Sequence, residues 1–299
     1  MKKFGITGVA GYIAPRHLKA IRDTGNILIA AADPHDSVGI LDQYFPEAAY
    51  FSEIERFDRH LDKLRNINEG IDYLTICSPN YLHDSHIRLA LRNGADAVCE
   101  KPLVLNSWNL DLLQKLEEEY EKKIYTILQL RVHPSLMKLK EEIETEKVKR
   151  KTKYNVELTY ITSRGVWYNY SWKGNCQKSG GIATNIGIHL FDLMIWLFGK
   201  PLNVRVHNNT LVNSKGELEL ENAFVSWHLS IDKNDLPAAY KEQGRSTFRS
   251  IIIDDNEIEF SDGFSELHSK VYQETLAGNG FCINDVRASI ELVQKIRGM

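Results

Sequence analysis

The 299-residue chain has few cysteines and no metal-binding pattern among them. Cys77, Cys99, Cys176 and Cys282 lie far apart, and none belongs to a C-x-x-C pair. This spacing argues against a zinc site or a disulfide framework and fits a reducing cytosol. We therefore expect a cytoplasmic protein that binds no metal.

Long apolar runs and basic blocks are also missing. No run of about 18 apolar residues occurs, so no membrane association is expected. With 37 basic and 40 acidic residues the net charge is −3, which argues against a nucleic-acid partner. The apolar start is interrupted by glycines at positions 5, 8 and 11 and predicts a first strand rather than a signal peptide. The length allows two domains.

Short apolar runs alternate with amphipathic stretches over residues 1–130. This pattern predicts βαβ units and an α/β domain on a doubly wound parallel sheet of the Rossmann type. The predicted strands are 4–7, 27–33, 72–77, 96–99 and 124–130. The predicted helices are 15–24, 51–66, 81–93 and 107–122.

Residues 131–299 have a different pattern, with alternating strands around one apolar helix, 185–198. We predict a second, α+β domain on a mostly antiparallel sheet. Its predicted strands are 154–161, 202–212, 217–231 and 246–260, after a charged helix at 135–147. A last helix, 284–297, is expected to pack back against one of the domains.

The turn after the first predicted strand carries Gly8, Gly11, Tyr12, Ile13 and Ala14. Glycines there let the backbone approach a pyrophosphate, and the following helix N-terminus offers N–H groups to that anion. Because the spacing is G-x-x-G-x-x-A rather than G-x-G-x-x-G, the turn alone is a weak signal.

Two aspartates follow the second predicted strand. Asp33 lies 25 residues after Gly8, where a carboxylate would accept hydrogen bonds from the adenosine ribose and repel a 2′-phosphate. This favours NAD over NADP, although Asp33 and Pro34 could also form a simple turn. Asp36 is either a second ribose contact or a solvated loop residue.

The third predicted strand ends before Ser78 and Asn80, which we expect near the nicotinamide half of the cofactor. Asn80 could equally cap the following helix, and His83 could be a buried histidine rather than a cofactor contact. Gln129 ends the last predicted strand of this domain and is a further expected cofactor contact.

Glu100, Lys101 and Pro102 close the strand at 96–99. A lysine at the carboxyl end of such a strand can hold or move a proton beside a bound dinucleotide, and the proline fixes the backbone after it. The alternative is an ordinary strand exit. We include Glu100 and Lys101 among the expected cofactor contacts, with the Glu100 side chain on the opposite side of the strand from Lys101.

Asn185 and His189 in the second domain are four residues apart, which predicts one shared helix face. Histidine suits proton transfer near neutral pH, although a histidine on an apolar helix is commonly a core residue. Asp192 could orient His189 or cap a neighbouring strand.

The segment 163–174 combines Arg164, Tyr168 and Lys173 with two tryptophans. Cations beside aromatic faces predict a loop that binds an anionic, ring-bearing ligand, and Arg131 would also point toward that ligand. The alternative is an aromatic loop that stiffens a domain or subunit interface.

Together these motifs resemble the glucose–fructose oxidoreductase/inositol dehydrogenase (Gfo/Idh/MocA) family, over nearly the whole chain. The matching segments are the turn 8–17, the segment 78–83, Glu100-Lys101-Pro102 and the segment 187–192. Residues 11–17, 171–174 and 183–189 are similar to the nucleotide-sugar branch of that family, the UDP-N-acetyl-2-amino-2-deoxyglucuronate dehydrogenases.

The resemblance implies NAD-dependent oxidation of the C3 hydroxyl of UDP-N-acetylglucosaminuronic acid (UDP-GlcNAcA) to a 3-keto sugar. The expected context is the synthesis of bacterial surface polysaccharide such as the O-antigen of lipopolysaccharide. Some members regenerate bound NAD with 2-oxoglutarate, which is a second expected partner. The resemblance also implies a homo-oligomer, a dimer or a tetramer.

Many family members carry aspartate where this chain has Asn185, and an amide cannot accept a proton. The expected base is therefore Lys101, alone or with His189 as a relay, while Asn185 holds a substrate hydroxyl. Arg164, Lys173 and Arg131 are expected to bind the carboxylate or diphosphate, with Tyr168 and Asp192 as further substrate contacts. Two alternatives stay open: a dehydrogenase of another sugar or inositol, and a dinucleotide-binding sensor without turnover.

Overall fold

A computed structural model describes residues 1–147, 149–258 and 266–299. The chain forms two compact units, Met1–Gln129 with Ser265–Val286, and Leu130–Phe264 with Arg287–Met299. These units differ from the predicted domains, 1–130 and 131–299, in one respect. The chain returns to the first unit after residue 264 because a helix there packs on the first helix of the chain.

Strands and helices alternate in the first half of the chain, and strands dominate much of the second. The strands are β1 (Lys3–Thr7), β2 (Ile27–Ala32), β3 (Ala49–Phe51), β4 (Tyr73–Ile76), β5 (Asp96–Cys99), β6 (Ile124–Thr126), β7 (Tyr154–Thr162), β8 (Pro201–Asn209), β9 (Asn213–Leu220), β10 (Ala223–Ser230), β11 (Thr247–Ile253) and β12 (Asn256–Glu257). The helices are α1 (Ala14–Asp23), α2 (Ile40–Tyr44), α3 (Ile54–Asn66), α4 (His83–Arg92), α5 (Trp108–Tyr120), α6 (Pro134–Lys147), α7 (Trp167–Tyr170), α8 (Cys176–Ser179), α9 (Gly181–Asn185), α10 (Ile188–Phe198), α11 (Ala238–Glu242), α12 (Leu267–Leu276) and α13 (Ile283–Gly298). Short 3-10 helices lie at Asn80–Leu82, Gln129–Val132, Trp172–Gly174 and Lys233–Asp235.

The sheet of the first unit is parallel throughout, in the order β3-β2-β1-β4-β5-β6. This confirms the predicted doubly wound Rossmann-type fold. The strand order reverses between β1 and β4, so the turns after these strands lie side by side, where such sheets bind their ligands. Ile6, Leu74 and Ile76 are fully buried in the core between the sheet and its helices.

Helix α12 belongs to the first unit and was not predicted. It packs against α1, and Val271 and Tyr272 on α12 are fully buried. His17, Leu18 and Ile21 form the buried face of α1. The predicted last helix is present as α13, whose first residues belong to the first unit and whose remainder belongs to the second.

The sheet of the second unit has the order β12-β11-β7-β10-β9-β8. Only the β7–β10 pair among these neighbours is parallel, which confirms the predicted mostly antiparallel sheet. The predicted single strand 217–231 is the antiparallel pair β9 and β10, and the predicted strand 246–260 is β11 and β12, with residues 259–260 outside the described residues.

The predicted apolar helix 185–198 is broken, so the expectation that Asn185 and His189 share one helix face is wrong. Helix α9 ends at Asn185 and α10 begins at Ile188. Gly187 lies at the break, where an added Cβ would come 2.5 Å from Leu229 of β10. The break therefore brings the backbone against the sheet, and only glycine fits this approach.

No single helix among residues 1–147, 149–258 and 266–299 has the length and apolarity to cross a membrane. One bent pair of helices, Cys176–Asn185 and Ile188–Phe198, is long and apolar enough only when the two helices are taken together, by length and composition alone. Most of α10 is buried inside the protein, as in the core helix of many globular folds.

Candidate active site

The turn after β1 requires glycine. Gly8 has φ +79°, and a Cβ there would lie 2.5 Å from the backbone of Cys77 and Ser78. The Gly11 N–H donates to the Gly8 carbonyl at 3.0 Å, and α1 begins at Ala14. The two strand ends therefore meet with no side chain between them, and a helix N-terminus follows, which is the arrangement that binds a pyrophosphate.

Asp33 is aimed at this turn. One of its carboxylate oxygens accepts the N–H of Ala10 at 3.0 Å, and the other accepts the N–H of His35 at 2.9 Å. Two backbone donors thus hold the carboxylate beside the first turn, at the carboxyl end of β2. Asp36 is exposed on the following loop, and Tyr12 is 86% exposed in the first turn.

A histidine links the two loops at the edge of β4 and β5. His83 is buried, and its ring nitrogens lie 2.7 Å from the Pro102 carbonyl and 2.8 Å from the Ser78 carbonyl. Burial lowers the pKa of His83. The structure therefore gives His83 a supporting position between the loops, and its predicted cofactor contact stays a prediction.

Ser78 and Asn80 are both buried at this edge. The Ser78 hydroxyl lies 2.9 Å from Nδ1 of His86, which is also 3.0 Å from the Thr7 hydroxyl. Burial lowers the pKa of His86 to about 4, so its ring is neutral near pH 7. A neutral network thus fixes the loop after β4.

Lys101 lies two residues after the end of β5 and is half-buried. The Glu100 N–H donates to the Ile76 carbonyl at 2.9 Å, which continues the β4–β5 ladder up to the lysine. The Lys101–Pro102 peptide bond is cis. The lysine therefore leaves the sheet at the carboxyl edge, as predicted from the position of the motif.

The Glu100 carboxylate is buried beneath this edge, among side chains of α1 and α12. His17 and His268 lie 3.0 Å and 3.3 Å from its Oε1 atom. Burial raises the pKa of Glu100, but the two histidine hydrogen bonds outweigh it and hold the pKa well below its ordinary value. These contacts are with protein groups, so the predicted cofactor contact of Glu100 stays a prediction.

The predicted ligand loop of the second unit is an aromatic and cationic surface. The Lys173 ammonium lies 5.4 Å from the ring centre of Trp167 and 5.6 Å from that of Trp172. Trp167 is 52% exposed, and Arg164 is exposed. The loop thus offers cations beside an accessible aromatic face, a combination suited to an anionic ligand with a ring.

Two predicted substrate contacts of this unit touch each other. Asn185 donates from its amide nitrogen to the Tyr168 hydroxyl at 2.8 Å. Tyr168 is buried, and burial raises the pKa of its hydroxyl. The hydrogen bond fixes the orientation of the amide, so its carbonyl oxygen faces a set direction.

Arg131 and Asp192 form a buried bidentate ion pair. The guanidinium donates two hydrogen bonds, of 2.9 Å and 2.8 Å, to the two carboxylate oxygens. Both side chains are less than a tenth exposed, at 8% and 3%. Each charge is neutralised within the protein, which gives the pair a structural role, and the predicted substrate contacts of both residues stay predictions.

His189 is half-buried in the first turn of α10, three residues before Asp192. Gln129 lies in the 3-10 helix after β6, at the end of the first unit.

Sequence reasoning missed His268 and Tyr272 because α12 follows a segment without a clear pattern. The spacing of Leu267, Val271 and Thr275 along one face would have been its signal.

The first unit fits NAD on its own residues. Gly8 leaves the backbone open at the switch point, α1 presents its N-terminus there, and the Asp33 carboxylate is held at the position that binds a ribose 2′-OH. These features define a dinucleotide-binding protein of the Rossmann type.

Two family models match the chain. Residues 2–127 match the "Oxidoreductase family, NAD-binding Rossmann fold", and residues 140–240 match the "Oxidoreductase family, C-terminal alpha/beta domain". The chain belongs to the Gfo/Idh/MocA oxidoreductase family, as its motifs predicted, and its cofactor is NAD.

Solved structures include a similar protein over the full length. The WlbA (WbpB) dehydrogenase from Thermus thermophilus, in complex with NAD and alpha-ketoglutarate, is 50% identical with a TM-score of 0.96, over 100% of this chain and 96% of that chain. The same dehydrogenase in complex with NAD and UDP-GlcNAcA has a TM-score of 0.95 at 50% identity, over 100% of this chain and 95% of that chain.

The curated relatives are more distant. Glucose-6-phosphate 3-dehydrogenase of Bacillus subtilis (strain 168) is 27% identical over 237 residues, which are 74% of this chain and 61% of that protein. The chain spans between 39% and 61% of the length of this relative and two others. These matches agree with the family.

Proposed function

We propose that this protein oxidises the C3 hydroxyl of UDP-GlcNAcA to the 3-keto sugar with NAD. The similarity to the Thermus thermophilus WlbA structures, at 50% identity over the whole chain, carries the proposal. One of those structures holds NAD and UDP-GlcNAcA. The predicted place of the reaction in surface polysaccharide synthesis belongs to the same proposal.

The residues of the second unit support a nucleotide-sugar uronate over a neutral sugar. Lys173 and Arg164 supply positive charge for a carboxylate or a diphosphate, and Trp167 supplies an exposed aromatic face. A free polyol would need neither cation. Asn185, oriented by Tyr168, would bind a sugar hydroxyl.

The proposed base is Lys101, with His189 as an alternative or a relay. NAD, when bound, accepts the hydride from C3 of the sugar. The residues of this chain then have to take the hydroxyl proton, and Asn185 cannot do so. Lys101 at the exit of β5 and His189 on α10 are the titratable groups that the family motifs assign to this step.

Isotope transfer tests the reaction. UDP-GlcNAcA carrying deuterium at C3, incubated with the purified protein, NAD and 2-oxoglutarate, should yield 2-hydroxyglutarate that contains deuterium, measured by mass spectrometry. The proposed 2-oxoglutarate use is supported by the Thermus thermophilus complex with alpha-ketoglutarate. UDP-GlcNAc, which lacks the carboxylate, and free N-acetylglucosaminuronic acid, which lacks the nucleotide, serve as comparison substrates.

Each outcome is informative. Turnover of UDP-GlcNAcA but of neither comparison substrate supports the proposal, whereas faster turnover of free N-acetylglucosaminuronic acid would favour the first alternative, a dehydrogenase of another sugar. Bound NAD with no turnover of any of these substrates would indicate a sensor.

Substitution of Lys101 tests the assignment of the base. Lys101→Met should lower kcat by about 1,000-fold, because a positioned acid–base group contributes about that much, while the NAD dissociation constant changes little. Lys63→Met, at an exposed position on α3, is the control. Wild-type kcat in Lys101→Met would move the role to His189.

The assembly and location of the protein are part of the proposal. A homo-dimer or homo-tetramer is expected from the family resemblance, and sedimentation of the full chain measures it. The cytoplasmic location agrees with four free cysteines, of which Cys77 and Cys99 are buried.

A further inference from the structure

We propose that a buried hydrogen-bond cluster, the glutamate cluster (His17, Glu100, His268 and Tyr272), positions Lys101 for proton transfer. The inference rests on the proposed function, which assigns that transfer to Lys101. The cluster lies within the first unit and is formed by α1, α12 and the residue after β5. Its members are positioning residues, since their role is to fix the lysine backbone.

The bonds of the cluster converge on one carboxylate. His17 on α1 and His268 on α12 bring their Nε2 atoms to 3.0 Å and 3.3 Å from Oε1 of Glu100. The other oxygen, Oε2, accepts the backbone N–H of Lys101 at 3.2 Å. The carboxylate therefore joins two helices, distant in sequence, to the backbone of the residue that carries the amine.

The protons of the cluster can all point toward Glu100. Burial lowers the pKa of His17, so its ring is neutral and donates through Nε2, which leaves Nδ1 to accept from the Tyr272 hydroxyl at 2.9 Å. Thr75 in turn donates to the Tyr272 oxygen at 2.8 Å. His268 Nδ1 is buried without a hydrogen-bond partner, which fits a proton on Nε2. Glu100 thus stays ionised.

The same three ligand atoms, from His17, Glu100 and His268, lie within 4.8 Å of one another, a spacing that a metal ion could also use. However, each atom already takes part in a hydrogen bond inside the cluster. With three N–H donors, the buried carboxylate is satisfied without a cation. We therefore assign a hydrogen-bond network.

A positioning role differs from a purely structural one in what it does to the reaction. If the cluster only anchored α12, its loss would lower stability and leave kcat unchanged. If it holds the Lys101 backbone, its loss displaces the amine, and a displacement of about 1 Å near the chemistry costs roughly 100-fold in rate.

Two substitutions at His268 separate these roles. His268→Leu removes the N–H donor to Glu100, whereas His268→Gln retains an amide donor that can reach the same place. For a positioning role, His268→Leu should lower kcat by about tenfold, with KM and the NAD dissociation constant within about twofold of wild type. His268→Gln should recover kcat to within about threefold. Equal kcat in the two variants and wild type, with melting temperature alone reduced, would overturn the proposal.

A second measurement needs no turnover. Labelling of Lys101 with an amine-reactive reagent, followed over pH by mass spectrometry, reports how tightly the amine holds its proton. Glu100→Gln removes a neighbouring negative charge, so the labelling midpoint should move to lower pH. The ionisable groups facing the cluster are Arg16 and His17 on α1, Cys77 after β4, His83 on α4, Cys99 on β5, and His268 and Tyr272 on α12.

These results separate failure of the inference from failure of the proposed function. An unchanged Lys101 labelling profile in Glu100→Gln, together with unchanged kcat in His268→Leu, overturns the inference even if UDP-GlcNAcA is turned over. A Lys101 labelling profile that shifts in His268→Leu, where the Glu100 charge is still present, and returns in His268→Gln keeps the positioning role even in a protein that does not turn over UDP-GlcNAcA, and rejects only the substrate. If Glu100→Gln does not fold, the same labelling applied to His268→Leu and His268→Gln decides.

Discussion

The buried ion pair between Arg131 and Asp192 makes a sharp prediction about the second unit. Both side chains are almost fully buried, and two hydrogen bonds of 2.9 Å and 2.8 Å join them. Replacing one partner removes the opposite charge that the other buried group faces in this pair. Arg131→Met or Asp192→Leu should therefore lower the free energy of unfolding by about 3–5 kcal/mol.

The double substitution is the matched control. Removing both charges, in Arg131→Met with Asp192→Leu, removes the buried pair as a whole. The double variant should therefore lie within about 1–2 kcal/mol of wild type. The interaction energy from the four proteins then measures the coupling of the pair, which is nonzero only if the two side chains depend on each other.

Urea unfolding followed by tryptophan fluorescence suits this measurement, because four of the five tryptophans lie in the second unit. KM for UDP-GlcNAcA is measured in parallel. If Arg131→Met costs less than about 1 kcal/mol in stability and raises KM more than tenfold, the arginine is a substrate ligand and the structural reasoning is wrong.

Three further predictions concern the first unit. Gly8→Ala should weaken NAD binding by at least about 100-fold in a calorimetric titration, because its Cβ would lie 2.5 Å from backbone atoms. Gly25 is the control: it also has positive φ, but a Cβ there would meet nothing within 4 Å, so Gly25→Ala should leave the NAD dissociation constant unchanged. Asp33→Asn should weaken NAD binding by about tenfold and reduce the ratio of NAD affinity to NADP affinity, whereas Asp36→Asn, at an exposed position, should change neither quantity. The same affinity ratio in both variants would contradict the assignment of Asp33 to the ribose. His86, with its pKa lowered to about 4 by burial, is neutral when folded but protonates near pH 6.5 when unfolded, so stability should fall as pH drops from 6.5 to 4, by about 3 kcal/mol. His86→Gln should reduce this slope but not abolish it, because burial also lowers the pKa of His17 and His83; an unchanged slope would show that His86 does not contribute.

Local patterns were sufficient for the cofactor half of the site. Five of the six described strands of the first unit, the glycine turn and Asp33 are each specified by a few adjacent residues, whereas β3 was missed because its residues adjoin a predicted helix at 51–66. The position of Lys101 follows in the same way, since the end of a buried parallel strand is a defined place in such a sheet.

Long-range contacts decided what the sequence could not show. The segment 185–198 is mostly apolar, and its pattern does not show that Gly187 meets Leu229 of β10 at the point where the helix is broken. Likewise, nothing in the sequence shows that Arg131 and Asp192 pair with each other, and only the structure brings them within hydrogen-bond distance.

The sequence by itself determined that the chain binds a dinucleotide on a parallel sheet, with a lysine at a strand exit, because these features depend on neighbours within a few residues. Tertiary structure alone decided that α12 belongs to the first unit and that His17 and His268 both contact the Glu100 carboxylate. Residues so far apart in the chain come into hydrogen-bond distance only when burial of α12 against α1 brings them together, and no local propensity encodes that contact.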